Sequence, residues 1–187
     1  MDILTDNGQV QHGQRSHYDE NILIAEFDRW KVQELLITPD KIAWIWEEMN
    51  KYRSLFSSLT KGDLANFTRL FVQPDSLWFE VLDEHEDIVG LLYVMQLHKV
   101  IDCEVHILFF DRKPAEKVLL CKQVVAWVFE RYPLRRMTAI VPSIYYRTIK
   151  LAKNIGFREE GRKRDAVLLG NKWVDEIILG ILRHEVL

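Results

Sequence analysis

Thr148-Ile149-Lys150-Leu151-Ala152-Lys153-Asn154-Ile155-Gly156-Phe157 is the stretch that decides the fold. Its apolar residues recur at helical spacing, and Gly156 stands just beyond the last of them. Helices stop in this way because glycine enters a positive-φ conformation without a Cβ clash. Arg158-Glu159-Glu160-Gly161-Arg162 then leads into two apolar runs, Ala166–Leu169 and Ile177–Leu182, with Trp173-Val174-Asp175-Glu176 between them. A helix, a sharp glycine stop and a two-strand ladder are therefore expected in that order.

Upstream, Arg136–Val141 reads as a short strand before Pro142, and residues from about Pro114 to Arg131 read as a helix carrying Val118, Leu119, Val125, Val128 and Phe129. Leu77–Leu82, Ile88–His98 and Asp102–Phe110 read as three consecutive strands, the first two separated by the charged turn Asp83–Asp87. Two helices are expected before them. Thr38-Pro39-Asp40 supplies an N-cap and a proline at the first helical position. Thr60-Lys61-Gly62-Asp63 resembles a capping box, placing the second helix start at Thr60, with Leu64, Phe67, Leu70 and Phe71 on its apolar face. Val32–Ile37 reads as the first strand, and Asn21–Phe27 is an apolar run of undecided type. Strands first consecutive and then alternating with helices give an α/β (α+β) fold, a mixed sheet with helices on both faces.

Residues 1–20 are polar and read as an N-terminal arm, leaving 21–187 as a single domain with enough chain for a full core. A net charge of −3 without a clustered basic patch argues against nucleic acid. Both cysteines, Cys103 and Cys121, fall in apolar runs and read as buried free thiols, which fits a reducing, cytoplasmic compartment. No apolar run reaches the length of a membrane span, and the first residues do not read as a signal peptide. Metal-ligand spacings, a Ser-His-Asp order and a phosphate-cradling Walker loop are absent from the sequence.

The Gly156-Phe157 turn, the Phe157–Arg162 tail and Trp173–Glu176 resemble the C-terminal part of the GCN5-related N-acetyltransferase (GNAT) superfamily. Within it, the subgroup that acetylates ribosomal-protein N-termini, with its spermidine-acetylating relatives, is the most similar. The resemblance implies a mostly antiparallel sheet of about seven strands. It also implies acetyl-CoA as cofactor and an amine acceptor, either a small molecule or a protein N-terminus. It leaves a homo-oligomer open.

In that superfamily a glycine-rich loop between a strand and a helix cradles the pyrophosphate of coenzyme A with backbone N–H groups. Here the equivalent segment is Arg112-Lys113-Pro114-Ala115-Glu116-Lys117, following Phe110. It keeps a leading arginine and no glycine, and Pro114 removes one donor. Phe110, Arg112, Lys113, Ala115, Glu116, Lys117 and Tyr145 are the cofactor-binding candidates that the resemblance implies. Arg112, Lys113 and Lys117 would supply charge where amides are lost. The same segment also reads as an ordinary helix start with no ligand.

Acetylating an amine needs a base, because only the neutral amine attacks a thioester. Glu104 and His106 stand two apart on one strand and share a face, so they are the candidate bases, and Tyr145 is the candidate proton donor. A core-edge carboxylate beside a surface histidine is the competing reading. Two functions follow. One is an acetyl-CoA-dependent N-acetyltransferase. The other is an inactive GNAT-like protein with a protein partner, acting in binding or assembly, for example as a phage or virion structural protein.

Overall fold

The computed structural model describes residues 24–27, 29–51, 63–73, 75–98, 101–110 and 115–187. The expected arm and the Arg112–Pro114 part of the cofactor segment lie outside them, as do the side chains of Ala115 and Glu116. Eight strands form one sheet in the order β1-β2-β3-β4-β5-β6-β8-β7. They are β1 (Ile24–Phe27), β2 (Trp30–Glu34), β3 (Leu77–Leu82), β4 (Ile88–His98), β5 (Asp102–Phe109), β6 (Arg136–Pro142), β7 (Arg158–Leu169) and β8 (Lys172–Leu182). The helices are α1 (Pro39–Asn50), α2 (Leu64–Phe71), α3 (Ala115–Arg131) and α4 (Tyr146–Ile155). The mixed, mostly antiparallel sheet has the expected character, and the strand beyond seven is β1, formed by the undecided run.

Two local expectations are corrected. The first expected strand begins at Trp30 and ends at Glu34, before Ile37, because Leu35–Ile37 leaves the ladder after Leu35 N–H donates to Trp78 O at 2.8 Å. Helix α2 starts at Leu64, with the Asp63 carboxylate accepting from Ala65 N–H at 2.8 Å. Aspartate is a strong cap, and Thr60, the expected start, lies outside the described residues. Thr38 caps α1 as expected, accepting from Lys41 N–H at 3.2 Å.

Strand alternation sends two sets of side chains to opposite faces. Phe79, Leu92, Val94, Cys103, Met137, Leu179 and Ile181 pack under α3 and α4 against Leu120, Val124, Phe129 and Ala152. The other face carries Trp78 and Leu91, which α1 and α2 cover with Ile42, Ile45, Phe67 and Phe71. One buried ion pair fastens that cover: Lys41 Nζ lies 2.7 Å from the Glu80 carboxylate, which also accepts from Gln33 Nε2 at 2.6 Å. Beyond it, over β5, β6 and β8, the same face is half-open, and Glu104, His106, Thr138 and Ile140 are only partly buried.

Antiparallel pairing holds from β1 through β5, and again between β6, β8 and β7. Among the described strands β5 and β6 form the one parallel pair, and they are joined at one register position, Glu104 opposite Thr138. The sheet thus consists of two antiparallel blocks that share one register position and part beyond it.

Candidate active site

The parting of β5 and β6 is the feature around which the site is built. Past Glu104 and Thr138 no register pair joins them, so a cleft opens between Val105–Phe109 and Ala139–Pro142. Alternation along β5 divides the cleft's wall. Cys103, Val105, Ile107 and Phe109 face the α3/α4 core, and Glu104 and His106 face the half-open side.

His106 Nε2 lies 2.9 Å from Glu104 Oε1. The approach lacks the linear geometry of a full hydrogen bond, and Nε2 is otherwise a buried polar atom without a partner among the described residues. The separation is short, and the direction of the Glu104 shift agrees with a contact between the two side chains. Burial alone would raise the Glu104 carboxyl; the His106 contact and the charges of His106 and Lys163 outweigh it and hold the group below its ordinary value.

The His106 ring is fixed from beneath. It stacks on Tyr93 at 4.4 Å between centroids and 7° between planes, and the two residues are cross-strand partners. Tyr93 stacks on Trp78 at 4.2 Å, and Trp78 on Phe71 at 4.0 Å. Phe67 then meets Phe71 edge-on, and Trp46 tilts against Phe67, each at 5.2 Å. Six rings thus run unbroken from α1 through α2 and across the sheet to His106. Burial, with the Glu104 charge adding to it, pushes the Tyr93 hydroxyl up, so it stays neutral and packs as an apolar plate.

The structure brings Glu104 and His106 together and leaves Tyr145 apart from them. Tyr145 is the N-cap residue of α4, has no side-chain cap bond, and packs half-buried against the α3/α4 core on the other face. Phe110 meets Trp44 edge-on at 5.6 Å and belongs to the α1/α2 cluster. Lys117 is turned inward: it is 7% exposed, and its ammonium sits 4.7 Å over the Phe109 ring. A long aliphatic stem and a cation–π contact make that burial tolerable. It places the Lys117 charge against Phe109, at the end of β5.

Sequence reasoning missed the ring stack and a polar cluster beside Glu104, formed by Asp102, Arg136, Thr138 and Glu160. Parity along β5 was the available signal for Asp102; the other three come from strands whose register the sequence does not state. Among the described residues no cluster of His, Cys, Asp and Glu is arranged to hold a metal ion. No described helix is long and apolar enough to cross a membrane.

Two described features bear on coenzyme A, the parting of β5 and β6 and the start of α3. The cleft is an open slot between two strands, and α3 begins at Ala115 just past the end of β5, so its positive end faces the same region. A cavity of about 720 Å³ at the opposite ends of β5 and β6 is lined by Ile101, Arg135, Arg136, Leu182, Arg183, His184 and Leu187, so it shares Arg136 with that polar cluster and does not include Glu104 or His106.

Comparison with known proteins agrees with this geometry. The family described as acetyltransferase (GNAT) domain matches residues 42–178. No curated protein matches the chain by sequence. Among solved structures, a variant of spermidine N-acetyltransferase SpeG from Vibrio cholerae superposes with a TM-score of 0.72 at 16% identity, covering 85% of this chain and 96% of that one. A dodecameric structure of spermidine N-acetyltransferase from the same organism gives 0.69 at 15% identity, covering 85% and 96%. The ribosomal-protein-S5-alanine acetyltransferase from Vibrio fischeri gives 0.67 at 16%, covering 88% and 99%. At these identities the superpositions speak for the fold.

Proposed function

The chain belongs to the GNAT acetyltransferase family, and on that premise we propose that it is an N-acetyltransferase using acetyl-CoA and an amine acceptor. The observation that carries the reading is the parting of β5 and β6, with Glu104 and His106 paired where it begins. Acetyl-CoA, when bound, supplies the activated acyl group. The chain's own contribution is to bind and orient the amine and to take its proton. Glu104, held ionised by its neighbours, attracts an ammonium and orients the imidazole. His106, pinned on Tyr93, offers a nitrogen that accepts a proton. Tyr145, at the start of α4, is the candidate donor to the leaving thiolate. Arg112 and Lys113 would carry the charge that meets the pyrophosphate.

The acceptor is a primary amine. Spermidine and ribosomal-protein acetyltransferases with this fold support a polyamine or a protein N-terminus as the first compounds to try. The test is a thermal melt with acetyl-CoA followed by an amine screen. Ligand at 100 times its dissociation constant adds about 2.7 kcal/mol, which for a chain of this size is a rise of roughly 5–10 °C. A rise, with acetylated product from at least one amine, supports the reading. No rise at millimolar acetyl-CoA sinks it and favours the assembly role.

A further inference from the structure

The two halves of the sheet share very little backbone bonding where they meet. Arg135 N–H and Arg136 N–H both donate to Ile101 O, at 3.1 and 3.2 Å, below the single Glu104–Thr138 position. Parallel pairing is also the weaker kind per residue. Side chains on the half-open face make up the difference. Thr138 Oγ1 lies 2.9 and 3.2 Å from the two carboxylate oxygens of Asp102, on the neighbouring strand. Arg136 Nε is 3.5 Å from Asp102, and its Nη2 donates to Glu160 of β7 and reaches Thr138 Oγ1 at 3.4 Å.

The Arg136–Glu160 bond spans β8, and Gly180 lets it do so. A Cβ at Gly180 would collide with both the Glu160 carboxylate and the Arg136 guanidinium. The pair therefore lies flat across a strand that presents no side chain there. Asp102, Thr138, Arg136 and Glu160 tie β5, β6 and β7 together on the face that carries Glu104.

We propose that this network is a clasp that fixes the width of the β5–β6 cleft, with Thr138 the positioning residue that holds Glu104 and His106 at their working distance from β6. The inference rests on the reading of the cleft as the site of acetyl transfer. Magnitudes favour positioning over stability. Asp102, Arg136 and Glu160 are each about a third exposed, and ion pairs in such surroundings contribute only about 0–1 kcal/mol. Displacing a catalytic group by about 1 Å, in contrast, costs on the order of 100-fold in rate.

Thr138→Val keeps the shape and removes the hydroxyl, and Thr138→Ser restores it. Hydrogen exchange on the full chain should show the amides of residues 104–109 and 138–142 exchanging at least about 10-fold faster in Thr138→Val, with α3 and the β7–β8 hairpin unchanged. The thermal midpoint should stay within about 3 °C. In the acetyl-transfer assay kcat should fall about 10- to 100-fold with the acceptor KM nearly constant, and Thr138→Ser should recover most of it. Unchanged exchange in those two segments overturns the clasp, as does faster exchange spread evenly over the chain with a matching fall in midpoint. If the wild type transfers no acetyl group, the exchange experiment still decides the clasp, while the functional reading fails by itself. Asp102→Asn, which weakens the same link from the other strand, should reproduce the localised exchange; a silent Asp102→Asn also counts against the proposal.

Discussion

At the scale of single residues, Glu104 and His106 carry the most consequence. Glu104→Gln keeps the shape and removes the charge that holds His106. In an acetyl-transfer assay kcat should drop about 100- to 10,000-fold while acetyl-CoA affinity, read by calorimetry, stays nearly constant. A mutant with full activity would place the base elsewhere. The same substitution has a pH signature. The Glu104 carboxyl is held below its ordinary value in the folded chain, so its stabilising contribution is complete above the unfolded carboxylate range, near pH 4.3. It is lost as pH falls through the lower, folded value. The gap in thermal midpoint between wild type and Glu104→Gln should therefore be widest above the ordinary carboxylate range and should narrow as pH falls below it. A gap that grows on acidification would contradict the pairing. That these two residues share a face was legible from their spacing. That a tyrosine lies beneath the imidazole was not, because the Tyr93–His106 partnership depends on the register between strands, which the turn between them sets.

Single elements show where the sequence speaks clearly and where it does not. Gly156 was expected to end a helix at positive φ, and it does so at φ +130°, with Gly156 N–H and Phe157 N–H both donating to Ala152 O. The requirement is local, so local sequence reveals it. Gly156→Ala forces an L-residue into that conformation and brings its Cβ to 3.2 Å from Ile181 Cδ1. It should cost about 1–3 kcal/mol, seen in urea unfolding as a lower midpoint at constant slope. A neutral substitution would mean that α4 ends in another way. The β7–β8 hairpin is the opposite case. Its ladder slips between Lys163 and Val167, where Asp165 sits at φ +46° and donates its N–H to Asp175 Oδ1 at 3.0 Å. The sequence of this stretch gives no sign of the bulge, because the residue that stabilises it stands ten positions away on the partner strand. The Arg136–Glu160 bond was hidden for a similar reason: a third strand, silent at Gly180, lies between its ends.

At the scale of the molecule, both thiols are sealed in the core, and burial first of all pushes Cys103 and Cys121 up to about 12. A thiol reagent at pH 8 should label neither cysteine rapidly in the native chain and both in denaturant; fast native labelling would show that the α3 face is looser than drawn. The overall order of strands and helices was legible because each element carries its own periodicity. The cleft was not, since it arises from bonds that two strands fail to make. The ring stack that ends at His106 has one more consequence, which is optical. Trp78 lies flat against Tyr93, and Tyr93 flat against His106, so an indole and a phenol in contact share their excited states and should give a strong, temperature-sensitive near-ultraviolet dichroism. Charge arriving on the imidazole perturbs the far end of that stack. The protein thus carries a built-in chromophore aimed at its own proposed base, and the event of interest can be followed by light without attaching a label.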